Sequence, residues 1–119
     1  VVLYEQKPVA YIQSYKAKDW PEFAQAVGYT SSTAGVDVFI GDSTFIGKGF
    51  GTLMIRKFLQ EIVFADPDIT ICLIDPEPEN KRAIKAYEKV GFTYVKTLQI
   101  PNEPYPAYLM EIKKEELKI

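Results

Sequence analysis

The chain has 119 residues, of which 47% are hydrophobic and 25% are charged, and its net charge is −2. These values are typical of one folded domain, and they exclude a disordered or fibrous chain and a basic stripe for a nucleic-acid backbone. The sequence has no histidine, which excludes Ser-His and Cys-His catalysis and every zinc site that needs histidine. Acid–base chemistry must therefore use carboxylates, tyrosine, lysine or water, and a small-molecule ligand is favoured.

The sequence also indicates where the protein works. No apolar run approaches the roughly 18 to 20 residues of a membrane helix, and no signal-peptide pattern opens the chain. We therefore expect a cytoplasmic protein without a membrane partner and without a metal site. The single cysteine, Cys72, lies in an apolar run over residues 69–74 and cannot form a disulfide within the chain. We interpret it as a buried strand residue rather than a nucleophile.

The first part of the chain is predicted to be mostly β-structure. Two β-rich runs at residues 1–5 and 9–15 are joined by a short turn and predict a hairpin. Residues 16–33 lose this pattern, which predicts a long loop that holds one helical turn. The next strand is predicted over residues 35–40.

The second part predicts two helices and three strands. Over residues 50–64 apolar side chains recur at the spacing of an amphipathic helix. Residues 69–74 are nearly all apolar and predict a strand that is buried on both faces. Asn80 is a suitable N-cap for a second helix, and Gly91 is a suitable C-terminal stop. Two further β-rich runs flank a proline-rich turn, at residues 92–100 and 107–112.

A glycine-rich run, Ile46-Gly47-Lys48-Gly49-Phe50-Gly51-Thr52, lies between a predicted strand and the first helix. Glycines let a backbone approach a ligand closely, and a helix N-terminus offers unpaired N–H groups to an anion. The run is not a P-loop, since Gly49 stands where Ser or Thr is required, and Thr52 replaces the third glycine of the dinucleotide fingerprint. It therefore predicts a phosphate-bearing ligand held mostly by backbone, or a turn that only tightens the chain onto the helix.

Two carboxylates suggest a cationic substrate. Asp37 is the one charged residue of an apolar strand, where a carboxylate is costly unless it meets a cation, water or a structural hydrogen bond. Asp75 follows the buried strand, at the sheet edge where α/β proteins bind ligands, although it could instead form a turn before Pro76. Two carboxylates at the opening of one cleft would favour a cationic amine as the substrate.

One element of the second helix is specific to a family. Asn80, Ala83, Tyr87, Gly91 and Phe92 match the Asn-x-x-Ala-x-x-x-Tyr-x-x-x-Gly-Phe element of the GNAT superfamily of N-acetyltransferases in order and spacing. With the glycine-rich run upstream, nearly the whole chain resembles that superfamily. The resemblance implies a single α/β GNAT domain over residues 1–119, with a mixed, mostly antiparallel central sheet flanked by helices.

The resemblance also implies acetyl-CoA as co-substrate. In that family the loop that matches residues 47–52 holds the pyrophosphate of coenzyme A, and the strand that matches residues 36–40 pairs with its pantetheine arm. The residue that matches Tyr87 lies near the sulfur of the cofactor. Ile46 departs from the usual Gln or Arg, so pyrophosphate binding should rest on backbone. Tyr87 could instead be only a core aromatic. The implied cofactor-binding residues are Val38, Phe39, Ile40, Gly47, Lys48, Gly49, Phe50, Gly51, Thr52, Asn80, Ala83 and Tyr87.

Three segments resemble the aminoglycoside 6′-N-acetyltransferase branch, at residues 11–15, 35–37 and 74–76. This resemblance implies transfer of acetyl to a primary amine, the 6′-amine of an aminoglycoside. Another small-molecule or protein amine, or a cofactor-binding module without turnover, remain as alternatives. The chain begins where the second strand of that fold would lie, so we expect the usual N-terminal strand and helices to be missing from it. We then expect either that the chain is a fragment or that a partner covers the exposed sheet edge. A monomer or homodimer is expected.

Acetyl transfer needs a neutral amine, an acceptor for its proton, and stabilisation of the leaving thiolate. We expect Asp37 to act as the base that accepts the proton of the amine, directly or through water, and we expect Tyr87 to donate a hydrogen bond or a proton to the departing sulfur. The expected substrate-binding residues are Asp37 and Asp75, together with Trp20 and Glu22 of the long loop. Trp20 either stacks on a sugar or holds the loop in place.

Overall fold

The computed structural model describes residues 2–4, 7–16, 19, 28, 32–40, 50–99 and 103–117. Helix α1 runs from Phe50 to Phe58 and continues as a π-helix over Leu59–Val63, and helix α2 covers Lys81–Val90. A short 3-10 turn follows at Lys114–Glu116. The strands are β1 Val2–Tyr4, β2 Lys7–Lys16, β3 Thr33–Ile40, β4 Ile71–Ile74, β5 Thr93–Leu98 and β6 Ala107–Lys113. Within these ranges no helix is long and apolar enough to cross a membrane.

The six strands form one sheet in the order β1-β2-β3-β4-β6-β5. Strands β3 and β4 are parallel, and the other four neighbouring pairs are antiparallel. A parallel pair needs a crossover connection, and α1 lies between β3 and β4 along the chain. The mixed, mostly antiparallel sheet and the N-terminal hairpin are therefore confirmed.

The helix predicted over residues 50–64 is confirmed, with a change in its last turn. The Phe64 N–H donates to the Leu59 carbonyl at 2.8 Å, which is the i to i−5 bond of a π-helix. Among the apolar residues at helical spacing, Ile55, Leu59 and Val63 are buried and Phe58 is partly buried, whereas Ile62 is 56% exposed. The amphipathic spacing thus predicts which side faces the core, but it does not predict the wider turn.

Helix α2 has both ends that the sequence predicts. The Asn80 Oδ1 accepts the Ala83 N–H at 3.2 Å, and Gly91 ends the helix with a φ of 127° that favours glycine. Ile84, Tyr87 and Val90 are buried in the same core as the inner side chains of α1. Both helices therefore pack on one face of the sheet.

The strands divide the apolar side chains between the two faces of the sheet. On the helix-covered face, Cys72, Ile74, Met110 and Ile112 join the main core, and the Cys72 side chain is fully buried. This confirms Cys72 as a core strand residue, and burial raises the pKa of its thiol. The opposite face carries a smaller cluster around Leu73 and Leu109. Strand β4 is thus buried on both faces, as predicted.

Candidate active site

A cleft opens where β3 and β4 stop pairing. The two strands are in register only at three positions, the last of which pairs Gly35 with Leu73. Beyond it, β3 continues beside β2 to Ile40 while β4 ends at Ile74. The resulting cleft has a volume of about 520 Å³ and is lined by β3, by the connection from β4 to α2, and by Tyr87 of α2. The early end of the β3–β4 ladder therefore creates the site.

The cleft side of β3 carries backbone that the described strands do not pair. Residues from Ala34 to Ile40 pair with β2 along one edge. On the other edge the described ladder with β4 ends at Gly35. An extended ligand can form strand-like hydrogen bonds with such an edge. Val38, Phe39 and Ile40, which the sequence assigns to cofactor binding, lie on this part of β3, and Val38 lines the cleft.

Asp37 projects from β3 with an exposed side chain. Its Oδ2 accepts a hydrogen bond from the Nε2 of Gln13 at 3.0 Å, and Gln13 Oε1 accepts the Tyr11 hydroxyl at 2.7 Å. The conditions under which the sequence allows a carboxylate in this apolar strand are met, because an exposed carboxylate remains hydrated. The structural hydrogen bond that the sequence left open as an alternative is present. It gives the Asp37 carboxylate a fixed direction.

Asp75 follows β4 and is half-buried in the same cleft. Burial, and to a lesser extent the charges of Asp37 and Glu103, raise the pKa of its carboxyl to about 7, although its own backbone amide opposes the rise. The next residue is also held in place, since the Pro76 carbonyl accepts the Tyr108 N–H at 2.8 Å. A carboxyl group that titrates near neutral pH can both accept and release a proton there.

Tyr87 contributes to both the core and the cleft. Its side chain is 8% exposed, and its ring meets Phe92 edge to face with the ring centroids 6.2 Å apart. Burial raises the pKa of its hydroxyl to about 12, and the charges of Asp75 and Asp37 add to the rise. Tyr87 therefore keeps its proton at neutral pH and can donate it to a hydrogen bond. It is a core aromatic as well as a cleft residue, so the two readings of the sequence do not exclude each other.

The beginning of α2 adds Asn80 to the cleft. Its Oδ1 is used by the helix cap, so the Nδ2 amide remains as the donor that the side chain can offer. Ala83 lies one turn further on and is partly buried against the core. Asp37, Asp75, Asn80 and Tyr87 are thus brought together by three separate elements of the fold.

The remaining predicted site residues lie either outside the described residues or at the start of α1. Trp20, Glu22, Gly47, Lys48 and Gly49 lie outside the described residues. Phe50, Gly51 and Thr52 form the first turn of α1. The first N–H groups of a helix have no partner within it, so this end of α1 suits an anion.

Sequence reasoning missed several acidic residues near the cleft. Glu77 and Glu79 line it, and Glu103 acts on the pKa of Asp75. The alternation of acids with prolines after Asp75 was a signal for the first two, whereas no local pattern marks Glu103. In the part of the chain that the structure describes, no group of three or more carboxylates or thiols is arranged to hold a metal ion.

The sequence is similar to a family of acetyltransferases and to individual members of it. Residues 1–100 match the family model of the acetyltransferase (GNAT) domain. The chain is 33% identical over 118 residues to the aminoglycoside N(6')-acetyltransferase type 1 of Klebsiella pneumoniae, with 96% of this chain and 56% of that protein covered. It is 38% identical over 80 residues to a kanamycin resistance protein of Rhizobium radiobacter, with 67% and 72% covered.

A solved structure has the same fold. The structure of AAC(6')-Ib in complex with ribostamycin and coenzyme A is 31% identical with a TM-score of 0.75, and the match covers 96% of this chain and 62% of that one. The chain thus spans 56% of the length of the Klebsiella relative. With the family model, the relatives and the fold in agreement, this chain belongs to the GNAT acetyltransferase family.

Proposed function

We propose that the protein transfers an acetyl group from acetyl-CoA to a primary amine, and that this amine is the 6′-amine of an aminoglycoside. The observation that carries the proposal is the meeting of Asp37, Asp75 and Tyr87 in one cleft at the end of the β3–β4 ladder. Support also comes from the relatives, which are named as an aminoglycoside N(6')-acetyltransferase and a kanamycin resistance protein. A solved relative is a complex with ribostamycin and coenzyme A.

The residues present fit the cofactor. The edge of β3 beyond Gly35, which the described strands leave without a partner, suits the amide groups of a pantetheine arm, which can extend beside Val38. The N-terminal turn of α1, with Gly51 and Thr52, suits a pyrophosphate. Asn80 lines the cleft and can donate into it from Nδ2. Acetyl-CoA supplies the activated acetyl group, and we propose that backbone groups supply most of its contacts.

The two carboxylates differ in ways that assign their roles. Asp75 is half-buried and the pKa of its carboxyl is raised to about 7, which suits an acceptor for the proton of an amine. Asp37 is exposed and is held by Gln13, which suits a carboxylate that binds an ammonium group. We therefore propose that Asp75 takes the proton and Asp37 orients the substrate. This exchanges the two roles that sequence reasoning assigned.

Tyr87 is the proton donor in this proposal. Its hydroxyl has a pKa raised to about 12, so it stays protonated at neutral pH. A thiol has an ordinary pKa of about 8.5, so a departing thiolate is a weaker base than ionised Tyr87 would be. The Tyr87 hydroxyl can thus keep its proton while it donates a hydrogen bond to the departing sulfur.

The acceptor class follows from charge. Asp37, Asp75, Glu77 and Glu79 line one cleft, which favours a substrate with several ammonium groups. Charge-assisted hydrogen bonds to such a substrate can leave one amine beside the acetyl carbon. An aminoglycoside has this chemistry, and a neutral or singly charged amine does not.

The experiment is a thiol-release assay with acetyl-CoA and a panel of amines. The panel contains kanamycin, ribostamycin, a monoamine and a peptide with a free amino terminus. We expect turnover with the two aminoglycosides, a single product acetylated at the 6′-amine by NMR, and weaker turnover as salt is added. Turnover of the monoamine or peptide alone would overturn the aminoglycoside assignment. If no amine in the panel gave release of thiol from acetyl-CoA, the enzyme assignment would be overturned.

A further inference from the structure

Gly35 is a buried glycine in the middle of β3, where glycine ordinarily weakens a strand. Its backbone does not require glycine, because it pairs in register with Tyr15 on β2 and Leu73 on β4 and is not among the described glycines with positive φ. Glycine is required at this position by the lack of space above it. A Cβ at this position would lie 2.5 Å from the Tyr15 Oη and 2.6 Å from its Cε2. The far end of the Tyr15 ring therefore fills the place of a side chain at Gly35.

Strand pairing relates Tyr15 to Asp75 through the face of the sheet that they share. Residues that pair across a sheet share a face, so Tyr15, Gly35 and Leu73 lie on one face. Asp75 follows Leu73 by two positions, which is the spacing of one face along a strand. The end of the Tyr15 ring lies over Gly35, and the strand beyond it in this direction is β4, where Leu73 pairs with Gly35 and Asp75 lies two positions further along the chain. After burial, the charge of Asp75 is the largest cause that raises the pKa of the Tyr15 hydroxyl, so the charge of Asp75 acts on this hydroxyl.

We propose that Tyr15, seated in the space that Gly35 leaves open, is a positioning residue that shields the Asp75 carboxyl from water and so sets how readily Asp75 takes a proton. The ring is the part that acts, because it is the ring that lies over Gly35 and excludes water. The catalytic meaning of this shield rests on the proposed function, in which Asp75 accepts the proton of the amine. The shield itself is a property of the protein without any substrate.

Other groups also face Asp75 and must be separated from the effect of Tyr15. Asp37 on β3 and Glu103 before β6 raise the pKa of Asp75 by their charges, and Tyr87 on α2 lines the same cleft with Glu77 and Glu79. None of these groups is altered by a change at Tyr15 or Gly35. A shift in the Asp75 titration after either change therefore reports the shield.

The test is an NMR titration of the Asp75 carboxyl carbon in the free protein. We expect the pKa to fall by about 1 or more in Tyr15→Ala and in Gly35→Ala, since the first removes the ring and the second displaces it, and both admit water. Tyr15→Phe keeps the ring and should titrate like the wild type. The double variant Gly35→Ala/Tyr15→Ala should match Tyr15→Ala, because a Cβ at Gly35 fits once the ring is gone.

Two outcomes would overturn the shield. One is an Asp75 titration unchanged in Gly35→Ala and in Tyr15→Ala, and the other is a Tyr15→Phe variant that titrates like Tyr15→Ala. The matched control is Tyr94→Ala, a change at a half-exposed tyrosine of β5, which should leave Asp75 unchanged. Gly35→Ala keeps all the atoms of Tyr15, so it decides the matter if Tyr15→Ala does not fold.

The consequence for activity is measured separately. The acidic limb of the pH profile of kcat/KM with kanamycin should move to lower pH in Tyr15→Ala and stay in place in Tyr15→Phe. If the NMR shift occurs and this limb does not move, the shield stands and the role of Asp75 as proton acceptor fails. If neither shifts, the shield itself fails.

Discussion

Gln13 and Asp37 occupy directly opposite positions on β2 and β3, and the Gln13 Nε2 donates to the Asp37 Oδ2 at 3.0 Å. The Tyr11 hydroxyl fixes Gln13 in turn through its Oε1 at 2.7 Å. All three side chains lie on the same face of the sheet as the alternation of a strand requires. The Asp37 carboxylate, although exposed, is thus aimed by a chain of two hydrogen bonds that starts on the neighbouring strand.

Gln13→Ala should therefore weaken substrate binding. We expect the KM for kanamycin to rise about 3- to 10-fold, the effect of one net hydrogen bond, with the KM for acetyl-CoA unchanged. Steady-state kinetics on both substrates measures this, with Gln60→Ala on the exposed side of α1 as the matched control. An unchanged KM for the aminoglycoside would show that the direction of Asp37 does not matter.

Tyr87→Phe tests the proton donor. The ring should still pack against Phe92, so the fold is retained, but the hydroxyl is lost. We expect kcat to fall on the order of 10²-fold with little change in the KM for acetyl-CoA. The control is Tyr94→Phe, whose hydroxyl pairs with Thr97 at the surface and should not affect turnover. Turnover of Tyr87→Phe within a few-fold of the wild type would leave Tyr87 as a core aromatic alone.

Asp75 should make stability depend on pH. The pKa of its carboxyl is about 7 in the folded protein and near 3.9 when unfolded, so between these values the folded state binds more protons. The free energy of unfolding should therefore fall as pH rises from about 4 to 7 and then level off. The variant Asp75→Asn lacks this titration, so its free energy of unfolding should not fall over the same pH range. It should exceed the free energy of unfolding of the wild type by roughly 2–4 kcal/mol above pH 7.

Urea unfolding of the wild type and of Asp75→Asn at several pH values measures this difference. Asp68→Asn, at an exposed aspartate in the turn after α1, is the matched control. A difference between wild type and Asp75→Asn that stays constant with pH would contradict the raised pKa of Asp75.

Arg56 joins the two helices. Its Nη2 donates to the carbonyl of Lys89 at 3.1 Å, at the C-terminal turn of α2, where a positive charge also meets the negative end of the helix dipole. Arg56→Met keeps the apolar stem and removes the donors, and we expect it to lower the free energy of unfolding by about 0.5–1.5 kcal/mol. Urea denaturation measures it, with the exposed neighbour Lys57→Met as control. Equal stability of Arg56→Met and Lys57→Met would exclude this link.

Local sequence patterns predicted those parts of the fold that local physics decides. The spacing of Ile55, Leu59 and Val63 gave the buried side of α1, and Asn80 and Gly91 gave the ends of α2. Each of these depends on residues within a few positions along the chain. The match from Asn80 to Phe92 also indicated the family, because its spacing is specific.

Features that depend on strand register could not be predicted. Gln13 lies opposite Asp37, and Tyr15 lies over Gly35, only because β2 and β3 pair in one of several possible registers. The point where β3 leaves β4 decides both the cleft and the exposure of Asp37. Glu103 comes near Asp75 from a distant part of the chain. For these reasons the sequence identified Asp37 and Asp75 as site residues, while the difference between them required the structure.

The most direct measurement is the steady-state kinetics of Asp75→Asn and Asp37→Asn with acetyl-CoA and kanamycin. We expect Asp75→Asn to lower kcat on the order of 10²-fold, because the amide cannot accept the proton, with the KM for acetyl-CoA unchanged. Asp37→Asn should chiefly raise the KM for kanamycin. A kcat of Asp75→Asn within a few-fold of the wild type would contradict the assignment of this cleft as the place where the amine loses its proton.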